Sequence, residues 1–268
     1  MGELVVEVER SVATVLVGGL PQSAVDLDDD RVLHFEYVQH LALAVDALAP
    51  AGPLRVTHVG GGGLTLPRWV HATRPGSPQI VLEPDAALTE TVRRELPLPR
   101  GHRIRVRPVG GEEGMAALAD DSADVVVLDA FVDGRVPAGL TGVEWLDAAR
   151  RVLGTGGLFL ANLTDEPGLR WAARVAAGAR ESFGHTAFVG LHEVLKGRRF
   201  GNVVLVVSAA PLDLYTLRRA AASAALPTGV MPWSDVARRV PGARPMRLAD
   251  GTTTPSPVPP DPRGWRVR

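Results

Sequence analysis

From Leu54 to Ser208 the chain alternates short apolar runs with stretches whose apolar residues recur every three to four positions. The runs read as buried strands and the periodic stretches as amphipathic helices. Strands are expected at 54–59, 79–83, 103–109, 123–129, 156–162, 185–192 and 202–208, and helices at 84–96, 112–118, 142–153 and 167–183. Another helix opens near Pro67, where a proline in the first turn costs no hydrogen bond. Near-continuous apolar strands alternating with helices imply a sheet covered on both faces. The expected fold is therefore α/β, a doubly wound, mostly parallel, seven-stranded sheet. Before it, residues 4–17 are rich in β-branched side chains and predict a small N-terminal β-hairpin region, or meander, broken at Gly18-Gly19-Leu20-Pro21. Residues 22–30 are polar and acidic without helical period and read as a solvated turn, while 33–48 reads as a helix ended by Pro50 and Pro53. Past Pro211 the alternation stops. Residues 212–225 and 233–240 look helical, and 252–268 is rich in proline and reads as extended or disordered. The expected division is 1–30, a β region; 31–210, the doubly wound Rossmann-like domain; 211–250, a helical extension; and 251–268, a disordered tail.

Composition narrows the chemistry. A net charge of −1 over 268 residues argues against a nucleic-acid binder held by phosphate contacts. With no cysteine there is no disulfide, thiol nucleophile or cysteine metal site. The histidines show no metal-ligand spacing, so no metal is expected. No apolar run reaches membrane-spanning length, and the first ten residues carry acids where a secretory signal carries bases, so a cytoplasmic protein with no membrane partner is expected. Neither a Gly-x-Ser-x-Gly elbow nor a Gly-x-x-x-x-Gly-Lys-Ser/Thr loop occurs.

The informative stretch is Val59-Gly60-Gly61-Gly62-Gly63. A glycine turn after a buried strand lets a ligand approach the main chain. The next strand ends in Glu83, 21 residues after Gly62 (83 − 62), an acid placed to accept hydrogen bonds from ribose hydroxyls. A solvent-exposed strand-end acid is the plainer alternative. Asp129 ends a strand of consecutive apolar residues and would open into the cleft beyond the strand ends, where ligands bind on such sheets; the alternative is a helix cap. The turn at Gly110-Gly111-Glu112 and Asn162 lie at the same end, and Asp133, Asp165 and Glu166 are further loop acids.

Gln22-Ser23 before an acidic turn, Tyr37 and His40 on the first helix, Val59 to Gly62, Leu82-Glu83, Val127-Leu128-Asp129, the run 156–162 and Phe200-Gly201-Asn202 occur in an order that resembles the spermidine synthase family. Those aminopropyltransferases are built on the Rossmann-like fold of S-adenosylmethionine-dependent methyltransferases, and the likeness runs from about Gln22 to about Ser208. The resemblance implies S-adenosylmethionine or its decarboxylated form as co-substrate, a small amine as acceptor, and a homodimer. It places Gly60 to Gly62 against the methionine-derived tail, Glu83 on the ribose, and Asp129 beside the sulfonium and the incoming amine. Gln22, Tyr37 and His40 would line the pocket, with Asp129 and Tyr37 catalytic. The chain departs from the family where Gly63, Gly111 and Val132 stand at positions that carry acids there, with Glu112 a possible substitute near adenine and Asp133 next to Val132. Near Leu195 an aliphatic residue replaces an aromatic one. A polycation needs carboxylates to replace its hydration, so these losses, with Lys196, Arg198 and Arg199 nearby, argue against an ordinary putrescine site. Three readings stay open: aminopropyl transfer, methyl transfer from intact S-adenosylmethionine, and a non-catalytic descendant that binds a nucleoside or a protein.

Overall fold

The computed structural model describes residues 3–260. The chain opens with β1 (Leu4–Glu9), β2 (Val12–Val17) and β3 (Leu20–Asp26), paired antiparallel in the order β1-β2-β3. Of the two expected forms the N-terminal region is the meander, a three-stranded antiparallel sheet. Its third strand takes in Gln22 and Ser23, which composition assigns to a turn. Ala24 and Val25 explain the difference: both are buried, and with Ser23 they face the body of the protein rather than water.

The body follows in chain order: α1 (Glu36–Leu48), β4 (Val56–Val59), α2 (Thr65–Thr73), β5 (Gln79–Leu82), α3 (Ala86–Glu95), β6 (Ile104–Arg107), α4 (Gly111–Ala116) and β7 (Ala123–Leu128). After a 3₁₀ turn at Ala138–Leu140 come α5 (Val143–Val152), β8 (Leu153–Asp165), α6 (Arg170–Phe183), β9 (His185–Leu191), α7 (His192–Leu195) and β10 (Gly201–Ser208). The chain then adds α8 (Leu214–Ala222), β11 (Thr228–Pro232) and α9 (Trp233–Arg239). Strands form one sheet in the order β11-β9-β10-β8-β7-β4-β5-β6. Pairing is parallel from β6 to β8 and antiparallel at β8/β10, β10/β9 and β9/β11. The sheet therefore has eight strands, not seven. The eighth, β11, lies in the gap between the two helices expected within 211–250, where no strand was expected. This is the Rossmann-like arrangement of the methyltransferase fold.

One face packs Phe159, Ala161, Leu163, Val203 and Leu205 against α5 and α6. The other packs Leu158, Leu160, Val204 and Val206 against α1. Alternation along β8 and β10 thus feeds two cores from the same strands. Residues 251–260 are neither loose nor detached: Ser256 is fully buried and Trp171 Nε1 donates to the Thr254 carbonyl at 3.0 Å. Prolines rule out a ladder, but side chains and carbonyls supply the bonds instead. The rest of the expected disordered tail, 261–268, lies outside the described residues.

Candidate active site

The C-terminal ends of β4, β5, β7 and β8 converge on the glycine turn. Gly60 N–H donates to the Leu82 carbonyl (2.9 Å) and Asp129 N–H to the Val59 carbonyl (2.8 Å). Gly60 has φ +98°, and a Cβ there would lie 2.1 Å from the Asp129 carbonyl oxygen, so only glycine fits. Glu83 is 9% exposed; its two oxygens accept from Gly61 N–H (2.8 Å) and Asp85 N–H (2.9 Å). Each oxygen keeps a second lone pair for a ligand hydroxyl. The carboxylate ties the glycine turn to the start of the loop leading into α3.

Asp129 accepts from Asn162 Nδ2 at 2.9 Å and from the Tyr37 hydroxyl, carried on the first turn of α1. Asp129 keeps some solvent access at its surface, yet protein crowds it, and burial pushes its carboxyl up to about 6 against the two bonds that favour its charged form. Burial, and then the Asp129 charge, hold the Tyr37 phenol well above its ordinary value, so it acts as a donor. The result is a carboxylate that is mostly ionised at neutral pH and can still take up a proton.

Other expected residues make contacts of their own. His40 is 2% exposed; its Nε2 pairs with Thr228 Oγ1 of β11 at 3.0 Å, and burial lowers its pKa to about 4. It joins α1 to the eighth strand. Gln22 sits half-buried in β3, its amide bonded back to the Leu20 carbonyl at 3.4 Å, and its neighbour Ser23 faces the glycine turn. A Cβ on Gly63 would meet Ser23 Oγ at 2.9 Å and Val15 Cγ2 at 3.3 Å. Ser23 in turn pairs with Thr65 Oγ1 at 2.7 Å. The N-terminal sheet therefore fills the space that an acid at 63 would need. A Cβ on Gly111 would meet Val59 Cγ1 at 2.6 Å and Leu140 Cδ2 at 2.8 Å, so an acid is excluded there too. Glu112 is exposed on the first turn of α4, its carboxylate packed on Gly139. Asp165 is spoken for: its oxygens accept from the N–H groups of Glu166, next in the chain, and of Ala172 in the first turn of α6. Asn162 acquires a part that sequence spacing alone had only hinted at, orienting Asp129. A depression of about 530 Å³ bordered by Arg55, Gln79 and Arg103 lies at the opposite ends of β4 to β6, away from these groups.

These titrations oppose one another. His40 and His58, both buried and lowered to about 4, stay neutral in the fold while the unfolded chain takes up protons, so stability falls as pH drops from 6.5 to 4. Asp129 and Asp165, both raised to about 6, bind protons in the fold first, so stability rises over the same descent from 6 to 4. Urea unfolding should therefore show a smaller loss of stability from pH 7 to pH 5 than the two histidines alone would cause. Asp165→Asn removes one offsetting group and should show a larger loss at pH 5 than the unsubstituted protein; an equal loss in both would contradict the opposition.

Against solved structures, the chain matches the crystal structure of a probable spermidine synthase from Corynebacterium glutamicum ATCC 13032 with a TM-score of 0.83 and 29% identity, over 91% of this chain and 92% of that one. The chain is spermidine synthase-like. A spermidine synthase in complex with the transition-state analogue AdoDATO (TM-score 0.60, 18% identity, 82% of this chain and 75% of that one) shares the fold. So does human methyltransferase-like protein 13 in complex with SAH (TM-score 0.57, 20% identity, 81% and 99%). No protein-family model and no curated protein matches the sequence. Among the described residues, no helix of this spermidine synthase-like chain is long and apolar enough to cross a membrane.

Proposed function

We propose that this chain is a transferase that carries an aminopropyl group from decarboxylated S-adenosylmethionine to a small amine. The observation that carries the reading is the carboxylate of Asp129, held by Asn162 and Tyr37 beside the Gly60 turn. The amine lone pair forms a bond to the carbon next to the sulfonium, the carbon–sulfur bond breaks, and its electron pair leaves with sulfur as neutral methylthioadenosine. The proton released from nitrogen passes to Asp129 and then to water. Glu83 takes the ribose hydroxyls with its spare lone pairs, and the glycine turn lets the sulfonium arm approach the backbone. The structural likeness to spermidine synthases and methyltransferases supports a transferase using an S-adenosylmethionine-type nucleoside. A small amine as partner, a cytoplasmic setting and a homodimer go with the family likeness.

A second reading, methyl transfer from intact S-adenosylmethionine, rests on Gly63. With Ser23 and Val15 where an acid would stand, the donor's tail would meet hydroxyl and apolar groups, and an intact carboxylate would meet no fixed negative charge there. Calorimetric titration with S-adenosylmethionine, its decarboxylated form and methylthioadenosine separates the readings. Tighter binding of the decarboxylated form is the expected result. Preference for the intact form would move the assignment to methyl transfer, and no heat with any of the three would end both.

A further inference from the structure

The loop after Asp129 is a small hairpin. Val132 N–H donates to the Arg135 carbonyl at 2.9 Å and Arg135 N–H to the Val132 carbonyl at 3.0 Å. Its two tip residues, Asp133 and Gly134, have φ +51° and +72°, the conformation of a tight two-residue hairpin turn. Its stem starts two residues past Asp129, the carboxylate that the transferase reading sets beside the incoming amine. The hairpin does not stand alone, because the C-terminal segment returns to it. Ser256 N–H donates to the Val136 carbonyl (3.1 Å), Val136 N–H donates to Ser256 Oγ (2.9 Å), and Arg135 Nε donates to the Ser256 carbonyl (2.5 Å). Ser256 Oγ also lies 3.1 Å from Thr164 Oγ1 at the end of β8. Trp171 Nε1 and Arg174 Nη2 anchor the same segment through the carbonyls of Thr254 and Thr252. Ser256 is fully buried.

We propose that Ser256 is a positioning residue, which clamps the 131–136 hairpin to the end of β8 and so fixes the acceptor side of the site. The catalytic part of this rests on the transferase reading above; the clamp itself does not. A buried hydroxyl that satisfies both a backbone N–H and a second hydroxyl cannot be removed without leaving a donor unpaired. A loop freed in this way admits and orients an acceptor poorly, while a nucleoside held by Gly60 to Gly62 and Glu83 is untouched.

The test uses full-length Ser256→Ala and, as a variant on a half-exposed residue, Arg135→Gln. Hydrogen exchange should speed up about tenfold across 131–136 in Ser256→Ala, as expected for one lost buried bond, with β4 and β7 unchanged. Donor affinity by calorimetry should stay within about twofold of the unsubstituted protein, while KM for the acceptor rises about tenfold in both variants. Unchanged exchange in the hairpin would overturn the clamp, as would a uniform rise across the sheet. Faster exchange with an unchanged acceptor KM would overturn its positioning role. Failure of the unsubstituted protein to bind any donor would instead strike at the transferase reading, and the exchange result would still decide the clamp.

Discussion

Asp129→Asn should lower turnover about a thousandfold, the middle of the range for removing a positioned general base. The substitution is nearly isosteric, so the bonds from Asn162 and Tyr37 have a partner of the same shape, and nucleoside affinity should hold. The pH profile gives a sharper reading than the rate alone. With Asp129 raised to about 6, the ionised, proton-accepting form accumulates as pH rises through that value, so kcat/KM should climb and then level. The climb should vanish in Asp129→Asn. In Tyr37→Phe one of the two bonds that favour the charged form is gone while burial stays, so the limb should move to higher pH. A profile that keeps its acid limb without Asp129 would assign the proton to another group and remove the central support for the mechanism.

Gly60→Ala should be the most damaging single change to the fold and the site together. Its φ of +98° is costly for any L side chain, and the added Cβ would fall 2.1 Å from the Asp129 carbonyl, against backbone that cannot swing away. Urea titration should show a loss of about 3 kcal/mol or more, from strain and displaced backbone combined. Because Gly60 N–H bonds the Leu82 carbonyl, the shift would also reach Glu83. Donor binding should disappear in any fraction that remains folded. A variant with ordinary stability and full donor affinity would show that the turn is looser than its geometry implies. Gly61→Ala is the milder control: its Cβ would sit 3.1 Å from Glu83 Cβ and Cγ, a contact that a shift of a few tenths of an ångström relieves.

The contrast between these residues shows what a sequence discloses. The buried strands β7, β8 and β10 were legible because each holds a run of consecutive apolar residues, as a sheet covered on both faces requires. β11 was not: Thr228-Gly229-Val230-Met231-Pro232 holds a glycine and a proline in five residues, and its strand character comes from pairing with β9. β3 hid behind Gln22 and Ser23 for a related reason, since a serine that pairs with Thr65 can be buried without looking apolar. The glycine turn, Glu83 and Asp129 could be picked out because a strand tip fixes where a side chain must go. The meaning of Gly63 and Gly111 could not. A missing acid looks like lost function until Ser23, Val15, Val59 and Leu140 are seen to occupy the space. Ser256 was the least visible of all, since proline-rich composition says nothing about which carbonyls and hydroxyls will find partners 120 residues away.

The order of the large sheet also bears on how the protein stays out of trouble at high concentration. A long flat edge strand is a template for a stranger's backbone, and natural sheets blunt their edges. Here the two outermost strands are the short β6, of four residues with Arg105 and Arg107 along it, and the short β11, which carries Gly229 and ends at Pro232. Positive charge repels a copy at one side, and at the other a residue without an N–H ends the ladder. The late addition of an eighth strand thus does more than extend the core: it seals the sheet against runaway cross-β growth through that edge.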